Sequence, residues 1–351
     1  MDFSSDNAYG AWPEILAAVT DAAAGSARSY GEDAITARLG ARFCEIFECE
    51  VAVFPVISGT AANALALATL VPPHGAIFCH GESHIAVDEC GAPEFFSHGA
   101  KLVPLEGEGA KLVPATLEGA LAHFHKGFVH HAQPACLSIT QATELGTVYT
   151  PEEIAALAAQ ARAHGMSLHM DGARFANALA HLGCTPAEAS WRAGVDVLSF
   201  GATKNGALGA EAVIFFDPAK AGDFAYRRKK AGHLISKMRF VSAQLEAYLA
   251  DGRWLEHAAR ANRLAARLAA GLSAVAGVAI ATPVEANAVF AFLPDALAAR
   301  LRQNGASFYD WAPPSGGRRL VRLVVSSLTP EEDVEIFLRS ANGEWRMECR
   351  P

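Results

Sequence analysis

One lysine of the chain stands where an apolar run ends in small and polar residues. Val195 to Phe200 predicts a buried strand, and Lys204 follows in the segment Gly201-Ala202-Thr203-Lys204-Asn205-Gly206. A lysine ammonium in such surroundings must stay solvated or find a partner, and partial burial lowers its pKa. Its amine is then nucleophilic and fit to form a Schiff base. For this residue taken alone, the alternative is a loop lysine that points to water.

An anion site is predicted where the strand Val51 to Val56 meets a helix that continues to Leu70. The connection contains Ser58-Gly59-Thr60. A helix that begins directly after a strand presents free backbone N–H groups at its N-terminus, and a hydroxyl adds a further donor, so this segment suits a phosphate. An ordinary N-cap is the alternative for the tripeptide.

Two further polar side chains follow predicted strands. Asp171 comes directly after a buried strand that ends at Met170, and His84 follows another predicted strand by a few residues. His80, His84 and Asp88 are spaced four residues apart, so on a helix they would share one face. We do not infer a metal site from them, because the sequence does not establish the helical geometry that would bring the three side chains together.

Strands that alternate with helices predict a mainly parallel sheet with right-handed crossovers. In such sheets ligands bind beyond the carboxyl ends of the strands. Ser58-Gly59-Thr60, His84, Asp171 and Lys204 all lie at or after strand ends, so we expect them at one edge of one sheet. An anion site, an amine and a carboxylate match the needs of pyridoxal phosphate, which reacts with a lysine and whose ring nitrogen pairs with a carboxylate.

The C-terminal third of the chain predicts a smaller α+β unit. Ser242 to Ala270 has the apolar spacing of one helix, and three short apolar runs that follow predict strands. Thr329 precedes Pro330-Glu331-Glu332 and is predicted to cap a final helix.

Segments spread over nearly the whole chain carry a resemblance to a known family. They are, in order, Ser5-Asp6-Asn7, Tyr30-Gly31-Glu32-Asp33, Ser58-Gly59-Thr60-Ala61-Ala62-Asn63, His84 through Ala92, Met170-Asp171-Gly172-Ala173-Arg174, Gly201-Ala202-Thr203-Lys204-Asn205-Gly206 and Arg322-Leu323-Val324. With them the chain resembles the pyridoxal-phosphate-dependent L-threonine aldolases of the β-eliminating lyase superfamily, in particular their low-specificity and phenylserine aldolase branch. The resemblance implies an α/β, fold-type-I transferase-like fold. Its large, cofactor-binding domain would span residues 1–245, and a small C-terminal α+β domain would span residues 246–351.

The resemblance also implies roles for the residues at the matching positions. Lys204 would form the Schiff base, Asp171 would pair with the ring nitrogen, and His84 would stack on the ring and contact the substrate hydroxyl. The other implied cofactor contacts are Ser58, Gly59, Thr60, Arg174 and Arg228. The implied substrate contacts are Ser5, Tyr30, Asp88, Arg174 and Arg322, of which Ser5 and Arg322 would bind the α-carboxylate. Arg228 belongs to the basic segment Tyr226 to Lys230, in which the residue that reaches the phosphate is left open.

The loop Gln141-Ala142-Thr143-Glu144 departs from the family, because many members carry a histidine there. If that histidine handles the β-hydroxyl proton in them, this chain uses His84, water or another group. The sequence therefore leaves open the identity of the base and the preference between threonine and allo-threonine.

The activity implied by the resemblance is reversible retro-aldol cleavage of L-3-hydroxy-α-amino acids to glycine and an aldehyde. One alternative is another reaction on the same cofactor, such as β-elimination or amino-acid racemisation. Another is a non-catalytic protein that binds pyridoxal phosphate or a metal. The resemblance further implies a homodimer or homotetramer with active sites at the subunit interface.

The composition agrees with a cytoplasmic enzyme that acts on small molecules. A chain of 351 residues that is 51% hydrophobic can bury a large core and form two domains. The net charge of -8 and the dispersed lysines and arginines argue against nucleic acid or an acidic membrane surface as a partner. No apolar run approaches the ~20 residues that span a bilayer, and the polar N-terminus predicts no signal peptide. The seven cysteines lack CxxC spacing and are expected to be reduced thiols.

Overall fold

The structure is a computed structural model that describes residues 1–344. Cys349, one of the seven expected thiols, lies outside the described residues. Within them, a large sheet is formed by β1 (Ala52–Val56), β2 (Gly75–His80), β3 (Lys101–Leu105), β4 (Gln133–Thr140), β5 (Ser167–Gly172), β6 (Val197–Gly201) and β7 (Glu211–Phe215).

The strand order of this sheet brings much of the predicted site to one edge. The order is β1-β7-β6-β5-β4-β2-β3, and neighbouring strands are parallel except at β7, which is antiparallel to both β1 and β6. The carboxyl ends of the other six strands therefore lie together and meet the amino end of β7. The prediction of a mainly parallel sheet is confirmed.

Helices cover both faces of the large sheet and pack beside it. Within residues 1–344 they are α1 (Pro13–Ala22), α2 (Ala34–Phe47), α3 (Gly59–Leu70), α4 (His84–Val87), α5 (Ala92–Phe96), α6 (Pro114–Leu121), α7 (Pro151–Ala163), α8 (Phe175–Leu182), α9 (Phe224–Lys230), α10 (Arg239–Leu249), α11 (Arg253–Ser273), α12 (Asp295–Gln303) and α13 (Glu331–Ala341). Because side chains alternate along a strand, Leu198 and Phe200 of β6 join the core formed with α2, α7, α8 and α10. Val197 joins the core formed with α3 and α9 on the opposite face.

A second hydrophobic core lies in the C-terminal part of the chain. It is built on an antiparallel sheet in the order β10-β11-β9-β8, whose strands are β8 (Ala279–Ile280), β9 (Ala288–Pro294), β10 (Tyr309–Asp310) and β11 (Arg318–Val324). Leu268 of α11, Leu301 of α12 and Phe337 of α13 cover this sheet. Phe3 is buried in the same core, so the N-terminal segment packs on the C-terminal part of the chain. The division into residues 1–245 and 246–351 stays a prediction.

Two local predictions in the C-terminal part are wrong. The single helix Ser242 to Ala270 is broken into α10 and α11, because Asp251 and Gly252 adopt left-handed φ values of 54° and 72°. Thr329 does not cap α13, since its hydroxyl accepts a hydrogen bond from the backbone N–H of Ser326 instead. None of the helices formed by residues 1–344 is long and apolar enough to cross a membrane.

Candidate active site

A cavity of about 260 Å³ lies at the edge of the large sheet where the parallel strands end. It brings together six of the predicted site residues, which are Ser58, Gly59, Thr60, His84, Asp171 and Lys204. Asn7, Asn63 and Glu211 also line it, although the sequence analysis gave them no role. The side chains that the sequence predicted at one sheet edge therefore line one cavity, and their individual roles stay predictions.

Lys204 lies on a short 3-10 turn, Thr203–Asn205, directly after β6. The Asn205 side chain anchors this turn by donating hydrogen bonds to the Tyr248 hydroxyl (2.9 Å) and to the backbone oxygen of Trp254 (2.8 Å). Burial and the neighbouring Arg174 guanidinium lower the pKa of Lys204. A lowered pKa leaves more of the amine unprotonated and nucleophilic at neutral pH.

The carboxyl group of Glu211 is buried beside that turn. It is the first residue of β7, the antiparallel strand, and it faces Gly201 of β6 and Val56 of β1. Its Oε2 accepts a hydrogen bond from the backbone N–H of Ala202 (3.1 Å). Burial raises the pKa of Glu211 to about 7. The sequence signal that could have revealed it is a lone acidic residue at the start of an otherwise apolar strand.

The first turn of α3 has the properties of a phosphate site. Ser58 is the N-cap, and its hydroxyl accepts a hydrogen bond from the backbone N–H of Ala61 (3.3 Å). The ordinary N-cap and the anion site are thus compatible, because the N–H groups at a helix N-terminus lack partners within the helix. Apart from its chain neighbours and the backbone of its own helix, no atom lies within 4 Å of the place where a Cβ of Gly59 would stand, so a ligand can approach the backbone there.

Arg228 is a buried cation near the end of β1, although it does not line the cavity. It donates to the backbone oxygen of Pro55 (3.2 Å) and lies 5.4 Å from the centre of the Phe54 ring. Its Nε has no hydrogen-bond partner, and burial lowers its pKa to about 10. Because a buried charge without a counter-ion is costly, this arrangement favours a bound anion nearby.

His84 and Asp171 are joined by a chain of buried hydrogen bonds. The His84 Nδ1 lies 2.8 Å from Glu89 Oε1, and the Asn63 Nδ2 donates to both Glu89 Oε1 (2.8 Å) and Asp171 Oδ2 (2.7 Å). Asp171 Oδ1 accepts from the backbone N–H of Ala173 (2.9 Å). The hydrogen bond to Glu89 raises the pKa of His84. Since Glu89 occupies Nδ1, the Nε2 atom is the ring nitrogen that remains available to the cavity.

Arg174 and Arg322 face a small second cavity between the large and small sheets. Asp6 binds Arg174 with two hydrogen bonds of 2.8 and 3.0 Å. Burial acts to raise the pKa of Asp6, but the positive charges of Arg174 and Lys204 hold it below the usual value. Arg322 donates a long hydrogen bond to the backbone oxygen of Ser4 (3.4 Å), and its Nε has no partner. Arg322 therefore has more unused donors for a carboxylate than Arg174 has.

Three further predicted substrate contacts line neither of these two cavities. Ser5 caps a short 3-10 turn by accepting a hydrogen bond from the backbone N–H of Asn7 (3.1 Å). Tyr30 is 47% exposed, with the Lys229 ammonium 4.1 Å above its ring. Asp88 is exposed at the end of α4. None of these three side chains lines the cavity that contains Lys204 in its own chain.

The loop that departs from the resembled family is mostly used for structure. Gln141 donates to the backbone oxygen of Tyr149 (2.8 Å), and Thr143 donates to the backbone oxygen of Gly109 (3.0 Å). Glu144 is buried, which raises its pKa to about 7, and it accepts a hydrogen bond from the backbone N–H of His84 (2.8 Å). The loop thus holds the backbone of His84 in place through Glu144, and it places no histidine in the cavity.

The predicted histidine and aspartate trio does not form a metal site. His80 is the last residue of β2, where its Nε2 donates to the backbone oxygen of Gly107 (3.0 Å). His84 begins the four-residue helix α4, so the trio does not share one helix face. Among residues 1–344 no group of three or more histidine, cysteine, aspartate or glutamate side chains is placed to hold a metal ion.

Comparison with known proteins agrees with this geometry. The family model described as Beta-eliminating lyase matches residues 2–296. The chain belongs to the β-eliminating lyase family. The chain is 47% identical over 319 residues to the low specificity L-threonine aldolase of Pseudomonas sp. (strain NCIMB 10558), and 47% identical over 318 residues to that of Pseudomonas aeruginosa. Each match covers 91% of both chains.

The solved structures add a close match in fold. The threonine aldolase of Leishmania major has a TM-score of 0.92 and 30% identity, with 97% of this chain and 98% of that chain covered. A serine palmitoyltransferase of Sphingomonas wittichii has a TM-score of 0.72 at 17% identity, with coverage of 98% and 86%, and it supports the fold alone. These findings confirm the predicted fold class, lyase family and pyridoxal phosphate cofactor.

Proposed function

We propose that this protein cleaves L-3-hydroxy-α-amino acids, such as L-threonine, L-allo-threonine and L-phenylserine, to glycine and an aldehyde, and that it catalyses the reverse reaction. The observation that carries the proposal is the meeting of Lys204, Asp171 and His84 in one cavity. The two bacterial relatives with 47% identity are both low specificity L-threonine aldolases, which favours this reaction over others on the same fold.

The described side chains fit pyridoxal phosphate. Lys204 would hold the cofactor covalently and Asp171 would pair with its ring nitrogen. The N-terminus of α3, with Ser58, Gly59 and Thr60, would bind the phosphate, and the uncompensated Arg228 would add positive charge. Bound in this way, pyridoxal phosphate supplies an electron sink for the charge that bond cleavage leaves at the substrate α-carbon.

His84 is the proposed base for the β-hydroxyl proton. Its ring lines the cavity, and Glu89 holds its Nδ1, which leaves Nε2 to accept the proton. Gln141 and Thr143 are bonded to backbone groups elsewhere, so neither replaces the histidine that many relatives carry in that loop. A base that is oriented by a buried carboxylate keeps the correct tautomer for proton abstraction.

Arg322 is the proposed anchor of the substrate α-carboxylate, together with Arg174 and Ser5. Its guanidinium has unused donors and packs over the rings of Tyr309 and Trp311, which fix its position. Fixing the carboxylate sets which bond at the α-carbon stands perpendicular to the cofactor ring, and this orientation selects carbon–carbon cleavage.

Replacing Arg322 with lysine should raise the KM for L-threonine roughly 10- to 100-fold, because a point charge cannot reproduce two hydrogen bonds to a carboxylate. The fall in kcat should be smaller. Steady-state kinetics measure both constants. Arg318→Lys is the matched control, since Arg318 lies on the same strand with an exposed side chain. An unchanged KM in Arg322→Lys would show that Arg322 does not bind the substrate carboxylate.

A substrate panel tests the proposed reaction. The purified protein is given L-threonine, L-phenylserine and L-serine in turn, and glycine plus aldehyde is measured against ammonia plus the 2-oxo acid of each substrate, with the visible absorbance of the bound cofactor recorded. Glycine and aldehyde in equal amounts support the aldolase. Ammonia with 2-oxobutyrate from L-threonine, phenylpyruvate from L-phenylserine or pyruvate from L-serine would instead assign β-elimination, which the family description favours as the second candidate. A loss of optical activity without cleavage would assign racemisation.

We propose that the active form is a homodimer or homotetramer. Phe95 and Tyr226 are 75% and 80% exposed, and they border a surface cavity of about 680 Å³ that Phe96 and Ala231 also line. Exposed apolar patches of this kind are typical of subunit interfaces. Tyr30, which does not line the cavity of its own chain, would then be available to the site of a second copy. The molar mass in solution distinguishes the two assemblies.

We also propose a cytoplasmic location. The six cysteines among the described residues are free thiols, and their spacing gives no disulfide framework.

A further inference from the structure

We propose that Asn63 keeps Glu89 ionised beside the carboxylate of Asp171, and that it thereby holds His84 as a proton acceptor. Asn63 is a positioning residue in this role, because it acts through Glu89. The inference rests on the proposed function, since it concerns the base of that reaction.

The two hydrogen bonds that Asn63 donates require an amide side chain. Its side chain is 2% exposed, and a single nitrogen, Nδ2, lies 2.8 Å from Glu89 Oε1 and 2.7 Å from Asp171 Oδ2. An amide nitrogen has two hydrogens and no charge, so it can donate to two carboxylates at once. A hydroxyl could donate to only one of them. The interacting residues are 26 and 108 positions away in the sequence.

Without this donor the two acids would be unfavourable neighbours. Burial raises the pKa of Glu89, and the negative charge of Asp171 acts in the same direction. The hydrogen bonds from His84 and Asn63 oppose that rise. Loss of the Asn63 hydrogen bond therefore favours uptake of a proton by Glu89, after which Glu89 no longer presents a negative charge to His84.

The cost of this arrangement indicates that it serves a purpose beyond packing. Asn63 Oδ1 and Glu89 Oε2 are both buried without a hydrogen-bond partner. Buried polar atoms without partners are rare and destabilise a fold, so a purely structural site would be expected to use smaller or apolar side chains. The fold retains these two unsatisfied atoms at the point where Asn63 links Glu89 to Asp171 in the reaction site.

Several charged groups act on His84, and they set the direction in which its pKa should shift. Glu89 contacts the imidazole ring. Asp171, which lies on β5, raises the pKa of His84, and Lys204, which lies on the turn after β6, lowers it. Glu144 contacts only its backbone N–H. Because neutral imidazole is the base, activity should rise with pH through the His84 pKa. A neutral Glu89 would lower that pKa and move the rise in activity to lower pH.

The test uses the full-length holoenzyme labelled with ¹⁵N-histidine, with the His84 signal assigned by its absence in His84→Asn. In Glu89→Gln the His84 titration midpoint should fall by about one pH unit, the size of one charge-assisted hydrogen bond. Asn63→Ala, which leaves no side-chain donor, should fall to the same midpoint, and the double variant should fall no further. The rise of kcat with pH should shift in parallel. Asn63→Val, which is closer in volume and also has no donor, replaces Asn63→Ala if the latter does not fold.

Asn177→Ala is the matched control, because Asn177 is another buried amide and pairs with Asn262 away from the cavity. Its His84 midpoint should stay at the wild-type value. An Asn63 variant with an unchanged or raised midpoint would overturn the inference, even with full aldolase activity in the wild type. Absence of aldolase activity in the wild type would refute the proposed function instead, and the two failures are thus distinguishable.

Discussion

Replacing Lys204 with alanine should lower aldolase turnover roughly 10⁴-fold or more, because the side chain that holds the cofactor is lost. The visible absorbance of the lysine-bound cofactor should disappear as well. The buried position of Lys204 beside Arg174, which lowers its pKa, makes its amine the reactive one in this cavity. Turnover is measured as glycine and aldehyde released, and the spectrum is recorded after excess cofactor has been removed.

A surface lysine serves as the control for this prediction. Lys101 begins the edge strand β3 with an exposed side chain, and Lys101→Ala should keep both the spectrum and the activity. If Lys204→Ala released glycine and aldehyde at the wild-type rate, both the cofactor linkage and the proposed mechanism would be wrong.

Asp171→Asn should lower kcat by about 10²- to 10³-fold, the range found when one preorganised electrostatic group is removed from a reaction site. The substitution removes the negative charge that would face the ring nitrogen. It also disturbs the local hydrogen bonds, because Asp171 accepts from both Asn63 and Ala173 and an amide nitrogen cannot accept. Rates are compared per molecule of bound cofactor, so that weaker binding is separated from slower reaction.

Asp217→Asn is the control for the loss of an aspartate charge. Asp217 caps a short surface turn by accepting a hydrogen bond from the backbone N–H of Ala219 (3.0 Å), far from the cavity. The kcat of Asp217→Asn should stay within twofold of the wild-type value, because surface substitutions away from special features have small effects. A kcat in Asp171→Asn as high as in this control would exclude Asp171 as the partner of the ring nitrogen.

The local pattern of the sequence predicted most elements that carry the site. β1 and α3 end at the predicted residues, Val56 and Leu70, because the apolar run of the strand stops before the N-cap Ser58. The edge at which Asp171 and Lys204 meet also followed from the sequence, since strands joined by helices run parallel and end together. The break at Asp251 and Gly252 was missed, because the apolar spacing continues on both sides of it.

The sequence by itself thus determined the family, because matching segments run along nearly the whole chain. It also determined the type of sheet and the residues at its strand ends, because the order and apolar pattern of strands and helices can be read along the chain. Only the tertiary structure decided which groups support them. The antiparallel direction of β7 brings Glu211 under the Lys204 turn, and folding pairs Arg174 with Asp6, 168 residues away. Asn63 joins Glu89 to Asp171 in the same way. Buried polar groups must find partners wherever the fold offers them, and a spacing along the chain cannot specify such partners.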